Sequence, residues 1–275
     1  MYRINYGYIQ ASRLGLGSST FGGSVSTDKA KRTIAAALEH GVNYIDTARS
    51  YGYGQAESII GEAVKKQRKN VFIATKFGIV SYLPLWKKRL LWLGRLVKKY
   101  GFLRKVALKQ VQQQAGTTFS YNIMSLSEVK HSIETSFKEL QTDYIDQLII
   151  HSHFELYLQD NSIIDYLFQL KQSQRIRTIG VACEGQFTFE QVNIINQNVK
   201  KGLIDAAQIS FSSRINSSQL LTKYINYIGV FQGQHPIDAQ KLAQIKEQAQ
   251  AHQQGHLLVT MNTPKHLVEN IELLG

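Results

Sequence analysis

Four ionisable side chains are spaced along the chain so that they could move a proton together, namely Asp46, Tyr51, Lys76 and His151. A tyrosine has an ordinary pKa of about 10 and is a weak acid at neutral pH. A neighbouring lysine ammonium favours the phenolate, so Lys76 is expected to lower the pKa of Tyr51. A carboxylate paired with the lysine would keep that lysine charged and in place.

A histidine beside this phenol could donate a hydrogen bond to a carbonyl oxygen or relay the proton. Together the two side chains would form an acid and oxyanion site for a C=O group that receives a hydride. Because no side chain supplies a hydride, this chemistry requires a bound cofactor.

The elements that must position these residues follow from the alternation of β-like and helical runs. The predicted strands are 13–18, 43–46, 71–76, 145–151, 176–181, 206–210, 227–231 and 256–260. The predicted helices are 27–40 with Thr27 as its N-cap, 57–66, 127–140, 162–172, 188–198, a short one at 218–226, 238–252, and one from Pro264. Asp46, Lys76 and His151 each end a predicted strand.

Eight strand–helix units predict an α/β fold, a single-domain (β/α)8 TIM barrel with parallel strands. In such a barrel the C-terminal ends of the strands meet at one mouth, which would bring the four residues together. The alternative is an open doubly wound sheet with a Gly-rich first turn. The nearest candidates, Gly15, Gly17, Gly22 and Gly23, lack the GxGxxG spacing that such a turn requires.

Length and composition agree with one large barrel. The chain has 275 residues, and 43% of them are hydrophobic. The single cysteine, Cys183, excludes an internal disulfide. The N-terminal residues show neither a signal peptide nor a membrane span, so a cytoplasmic protein is expected.

The net charge of +12 is concentrated in one part of the chain. Residues 63–127 contain 14 Lys and Arg and no Asp or Glu, and the remaining residues carry 18 basic and 20 acidic side chains. The basic character therefore belongs to one segment and not to the fold as a whole.

Several blocks of the sequence resemble the aldo-keto reductase superfamily. Its strand-two block, in which a catalytic Asp precedes a catalytic Tyr by five positions, resembles GVNYIDTARSYGYGQAESIIGEAV. Its blocks with the catalytic Lys and His resemble ATKFG and LQTDYIDQLIIHSH. Its strand-five, strand-six and last-helix blocks resemble IRTIGVACEG, AAQISFSS and NTPKHLVENI. The resemblance runs from about Arg13 to Ile271. Some bacterial members of the superfamily have a similar insertion after strand three.

The resemblance implies an NAD(P)H-dependent oxidoreductase that reduces an aldehyde or ketone to an alcohol. Tyr51 would be the proton donor, with Asp46, Lys76 and His151 as the other catalytic residues. The cofactor would be NADP(H) or NAD(H), and its expected contacts are Gly17, Thr20, Asp46, Gln208, Phe231, Thr260, His266 and Asn270, with Gln232 as the alternative to Phe231. No metal site is expected, because His151 and His153 lack a set of ligating partners.

The sequence departs from the family at the cofactor positions. Ala182 and Cys183 replace a Ser-Asn pair that would bind the nicotinamide carboxamide. Thr260, Met261 and His266 replace residues that would bind the 2′-phosphate of NADP, so the preference between NADP and NAD stays open. The loop after strand seven is also short, which would weaken the grip on the cofactor.

The basic insertion, at about 81–125, has a pattern typical of an amphipathic helix. Its apolar residues recur at steps of three or four, namely Trp86, Leu90, Leu93, Val97, Tyr100 and Leu103. The favoured interpretation is a lid over the barrel mouth. The alternatives are attachment to an anionic membrane surface and recognition of an acidic substrate or a nucleic acid, and no nucleic-acid motif supports the last of these.

Two classes of function remain open from the sequence. The first is an active carbonyl reductase with a small-molecule substrate, acting as a monomer or weak homo-oligomer. The second is a catalytically weak or inactive binding or regulatory protein on the same fold, a hypothesis motivated by the altered cofactor positions. This second class includes a protein that associates with a membrane surface through the basic insertion. The complete Asp–Tyr–Lys–His set favours the first.

Overall fold

The computed structural model describes residues 2–81, 119–120, 123–182, 185–211, 219–230, 254–274 and the single residues 243, 245 and 247. Eight parallel strands of this part of the chain close into one barrel, which confirms the predicted fold. In barrel order they are β3 (Leu14–Gly17), β4 (Tyr44–Asp46), β5 (Phe72–Phe77), β8 (Ile145–His151), β9 (Ile176–Ala182), β10 (Ala206–Ser210), β11 (Tyr224–Ile228) and β12 (Gly255–Thr260).

The described helices pack around the barrel with apolar faces inward. They are α1 (Thr27–Glu39), α2 (Ala56–Val64), α3 (Leu126–Leu140), α4 (Phe154–Tyr157), α5 (Asn161–Gln172), α6 (Phe189–Lys200) and α7 (Pro264–Leu274). Capping boxes fix the N-termini of two helices: Ser125 with Glu128 caps α3, and Thr188 with Gln191 caps α6. The predicted N-cap Thr27 is wrong by one residue, because Ser26 has the extended backbone and Thr27 is already helical.

The predicted helix at 218–226 and strand at 227–231 are also wrong. Strand β11 begins at Tyr224, three residues earlier than predicted. Its side chains have partners inside the barrel that a helix could not reach: Tyr224 stacks on Tyr6 with ring centroids 3.9 Å apart, and Asn226 donates to Gln147. Most of the predicted helix at 238–252 lies outside the described residues.

A hairpin covers the N-terminal end of the barrel. It consists of β1 (Arg3–Asn5) and β2 (Gln10–Ser12), which pair antiparallel. Tyr6, between them, packs among Phe72, Tyr224 and His256 inside the barrel floor. Among the described residues, the hairpin and Tyr6 therefore close the N-terminal end of the barrel, opposite the C-terminal mouth.

The basic insertion leaves the barrel at this mouth. Two short strands, β6 (Val80–Ser81) and β7 (Phe119–Ser120), pair antiparallel and hold its two ends together. Residues 82–118, with the predicted amphipathic pattern, lie outside the described residues. Within the part of the chain that the structure describes, no helix is both long and apolar enough to cross a membrane.

Candidate active site

The strand register aligns the predicted catalytic residues at the barrel mouth. Gly17 pairs with Asp46 and with Thr260, and His151 pairs with Ala182. A cavity of about 140 Å³ lies between these strand ends. Its lining contains all four predicted catalytic residues, Asp46, Tyr51, Lys76 and His151, together with Gly17, Ser18, Ser19, Ala182, Gln208, Ile228, Gly229, Leu258 and Thr260.

A buried ion pair forms the floor of this cavity. Lys76 Nζ donates to both carboxylate oxygens of Asp46 at 2.7 Å and to the carbonyl of Thr47 at 2.9 Å. Burial opposes the charge of Lys76, but Asp46 and Tyr51 outweigh it and hold the lysine pKa above its ordinary value. Burial raises the pKa of Asp46 against the opposing effect of the ammonium. Lys76 is thus held charged beside the phenol.

Tyr51 begins a short 3-10 helix, Tyr51–Gly54, in the loop after β4. Lys76 Nζ lies 5.0 Å from the centroid of its ring. Burial raises the pKa of Tyr51 more than Lys76 lowers it, so the phenol is a weaker acid than a free tyrosine. Lys76 thus lowers the pKa of Tyr51 as expected, but the net shift is upward, because desolvation of the phenolate exceeds its attraction to the ammonium.

Gly52 lets this loop pack closely against the loop after β3. It has a left-handed backbone with φ +57°, and a Cβ atom there would overlap the Phe21 carbonyl oxygen. Only glycine fits this position without moving the loop. The position of Tyr51 therefore depends on its neighbour in the sequence.

His151 is a neutral group in this site. Burial lowers its pKa to about 3, and the positive charge of Lys76 acts in the same direction. A neutral imidazole can still donate one hydrogen bond from its N–H group. His151 is thus suited to polarise a carbonyl oxygen without carrying a charge of its own.

Gln208 offers an unused acceptor to the cavity. Its side chain hydrogen-bonds to Asp46, and its Oε1 atom is buried with no hydrogen-bond partner among the described residues. A buried amide oxygen without a partner is costly, and a ligand N–H would satisfy it. This atom fits the carboxamide of a nicotinamide.

The other predicted cofactor residues are more scattered. Gly17 and Thr260 line the cavity, whereas Thr20, His266 and Asn270 do not belong to its lining. Thr20 donates to Asn262 at 2.6 Å, which ties the loop after β3 to the loop after β12. His266 is exposed, and Asn270 is buried with its Oδ1 atom unpartnered among the described residues. Phe231, Gln232 and Cys183 lie outside the described residues.

The sequence and the fold also match known proteins. The family model for the aldo/keto reductase family matches residues 13–234. The chain belongs to this family. It is 31% identical over 191 residues to aldo-keto reductase YhdN of Bacillus subtilis, and 31% identical over 183 residues to the NADH-specific methylglyoxal reductase of Escherichia coli.

These matches cover 67% and 63% of this chain but only 46% and 49% of the two relatives. This aldo/keto reductase chain therefore spans about half the length of the curated relatives it matches. An aldo-keto reductase structure from Bacillus halodurans superposes with a TM-score of 0.70 at 20% identity, covering 99% of this chain and 90% of that one. It confirms the fold.

Several residues of this aldo/keto reductase site were missed from the sequence. Ser18 and Ser19 directly follow the first barrel strand, so the rule that places sites at strand ends could have found them. Ile228 and Gly229 were missed because β11 was predicted three residues too late. Among the described residues there is no group of three or more His, Cys, Asp and Glu side chains placed to hold a metal ion.

Proposed function

We propose that this protein reduces a small aldehyde or ketone to an alcohol, with a nicotinamide dinucleotide as hydride donor and Tyr51 as proton donor. The observation that carries the proposal is the convergence of Tyr51, the Asp46–Lys76 pair and His151 on one cavity. The reduced nicotinamide, when bound, supplies the hydride to the carbonyl carbon.

The protein's own residues handle the proton. The Tyr51 phenol gives its proton to the carbonyl oxygen as charge develops there, and the resulting phenolate is stabilised by Lys76. Asp46 keeps that ammonium in place through two hydrogen bonds of 2.7 Å. His151 donates a hydrogen bond to the same oxygen. The product alcohol then contains the hydride and the phenol proton, and solvent reprotonates Tyr51.

Gln208 and Asn270 support a bound dinucleotide. Each presents a buried amide oxygen without a partner among the described residues, Gln208 at the cavity and Asn270 in helix α7. Gln208 would receive the carboxamide N–H of the nicotinamide, and the resemblance implies that Asn270 holds the adenine.

We propose that the protein discriminates weakly between NADH and NADPH. Of the residues at the positions that would bind a 2′-phosphate, Thr260 is uncharged and Met261 is fully buried. The nearby Lys265 lies 3.8 Å from Glu269. None of these offers a fixed, unpaired cation to a phosphate. NADH is therefore expected to bind with an affinity comparable to that of NADPH.

The test begins with a titration of the protein with NADH and with NADPH, in which protein fluorescence reports binding. Loss of reduced-nicotinamide absorbance is then measured with a carbonyl panel that includes methylglyoxal. Tyr51→Phe is expected to lower kcat by about 10²-fold or more and to leave the dinucleotide Kd unchanged, because the phenol acts on the proton. An unaltered kcat in this variant would contradict the proposal.

The second candidate is a protein that binds a dinucleotide without turning it over. The observation in its favour is Ala182, which lines the cavity where the family has a polar anchor. Tight binding of NADH or NADPH with no oxidation across the whole panel would support this candidate against carbonyl reduction.

A further inference from the structure

One buried carboxylate close to the site is not part of the cavity. Glu57 lies in the first turn of α2, and its exposed fraction is only 1%. A carboxylate at a helix N-terminus is favourable even when it faces water. Burying the carboxylate costs desolvation free energy, and an exposed position at the helix N-terminus would avoid that cost. The hydrogen-bond partners of Glu57 must therefore explain why it is buried.

Its two oxygens bind two different catalytic segments. Oε1 accepts a hydrogen bond of 2.7 Å from Thr75, which directly precedes Lys76 on β5. Oε2 accepts one of 2.6 Å from Arg49, two residues before Tyr51 in the loop after β4. Glu57 thus joins the strand that carries the ammonium to the loop that carries the phenol.

Backbone hydrogen bonds alone join these two segments loosely near Tyr51. Thr47 N donates to Ala74 O at 2.8 Å, but Arg49 N is 3.4 Å from Lys76 O. The bridge from Arg49 through Glu57 to Thr75 adds charge-assisted hydrogen bonds to a buried carboxylate, and these are stronger than neutral hydrogen bonds.

We propose that Glu57 is a positioning residue, whose carboxylate fixes the Tyr51 loop against the Lys76 strand and so sets the separation of phenol and ammonium. This inference rests on the proposed carbonyl reduction for its kinetic consequence. A displacement of the phenol by about 1 Å is enough to lower a rate by about 10²-fold. Glu57 itself touches neither substrate nor cofactor.

Three variants test the proposal. Glu57→Leu removes both hydrogen bonds and is expected to lower kcat about 10–100-fold, with KM for the dinucleotide within about threefold of wild type. Glu57→Gln keeps an amide oxygen for Thr75 or Arg49 and is expected to retain most of the activity. Thr75→Val breaks only the connection to β5, so it replaces Glu57→Leu if that variant does not fold.

The pH profile separates positioning from a loss of stability. If the phenol moves away from Lys76, its pKa rises, because the ammonium no longer favours the phenolate. The alkaline limb, which is the fall in kcat as the phenol loses its proton at high pH, should therefore move to higher pH in Glu57→Leu and Thr75→Val. In Glu57→Gln it should stay near its wild-type position.

Asp146 offers a matched control. It is a buried carboxylate paired with Arg68 at 2.7 Å, at the other end of the barrel. Asp146→Asn is expected to lower the Tm without changing kcat or the alkaline limb. Amide hydrogen exchange of residues 47–54 gives a readout without turnover: about tenfold faster exchange is expected in Glu57→Leu and no change in Asp146→Asn.

The outcomes distinguish this inference from the proposed function. The positioning role is overturned if Glu57→Leu keeps the wild-type kcat, alkaline limb and loop exchange while Tyr51→Phe still lowers kcat. If Glu57→Leu does not fold, the same result in Thr75→Val overturns it. If wild type turns over no carbonyl, the proposed function fails, and the exchange of residues 47–54 alone decides whether Glu57 holds the loop.

Discussion

Burial acts on all four ionisable side chains at the barrel mouth, but in opposite directions. It raises the pKa of Tyr51 and Asp46 and lowers that of His151 to about 3. For Lys76 burial is outweighed by Asp46 and Tyr51. At neutral pH the phenol therefore keeps its proton and the imidazole is neutral, so of these four groups only the Asp46–Lys76 pair is charged.

The low pKa of His151 gives a prediction about its titration. Its NMR ring signals should not move between about pH 5 and about pH 8, whereas an ordinary histidine titrates near pH 6.5. The signals are assigned by their disappearance in His151→Gln. A midpoint near pH 6.5 for the signals lost in that variant would show that the imidazole is hydrated and not desolvated.

That Asp46, Tyr51, Lys76 and His151 share one cavity could be predicted from the sequence, because a residue's place at a strand end determines which mouth it faces. Asp46, Lys76 and His151 were all found in this way. The pKa direction of Tyr51 could not be predicted, since it depends on how much water the folded loop excludes. The burial of Glu57 was also not predicted, because a carboxylate in a first helical turn has the same sequence pattern whether it faces solvent or the protein.

At the scale of elements, two barrel strands were predicted without error. The bounds of β8 and β10 agree with the sequence prediction to the residue. Strand β11 was misplaced because Tyr224 and Asn226 are polar or amphipathic residues, and their burial depends on Tyr6 and Gln147 far away in the sequence. Tertiary partners, not local pattern, determine where this strand starts.

The loop that carries Tyr51 gives a prediction at this scale. Gly52→Ala adds a Cβ that would overlap the Phe21 carbonyl and also places alanine at φ +57°. We expect a loss of about 3 kcal/mol or more in the free energy of unfolding, and a lower kcat because Tyr51 shifts.

Gly202→Ala provides the control for Gly52→Ala. Gly202 has a φ of +76°, but a Cβ there would meet no atom within 4 Å, so this variant carries only the backbone strain. Its expected cost is about 1 kcal/mol. Equal urea midpoints for the two variants would mean that the close approach to Phe21 is unimportant.

At the scale of the whole molecule, the barrel floor contains a titratable group. His256 is fully buried, with Nδ1 3.0 Å from the Ser12 carbonyl and Nε2 2.9 Å from the Tyr6 hydroxyl. Because a carbonyl only accepts, Nδ1 carries the proton and Nε2 accepts from Tyr6. Burial lowers the pKa of this histidine to about 3.

The floor histidine should make the fold sensitive to acid. Its folded pKa lies below its unfolded value of about 6.5, so between these values only the unfolded chain binds the proton, and stability falls as pH falls. From about pH 6.5 to about pH 5 the loss is about 1–2 kcal/mol. Urea unfolding should show a flatter pH dependence in His256→Gln. The exposed His131→Gln should behave as wild type, and an identical slope in all three would rule out His256 as the cause.

The pairing of β12 with β3, which joins Leu257 to Leu14 and Thr260 to Gly17, has a consequence for the kinetics of folding. The barrel closes only when segments from opposite ends of this sequence meet, so this pairing must close a long loop and is expected to form slowly. During synthesis the floor and the mouth stay open to water until β12 has left the ribosome. The arrangement of Asp46, Tyr51, Lys76 and His151 around the cavity is therefore expected to appear in one cooperative late step, together with closure, and not to build up strand by strand.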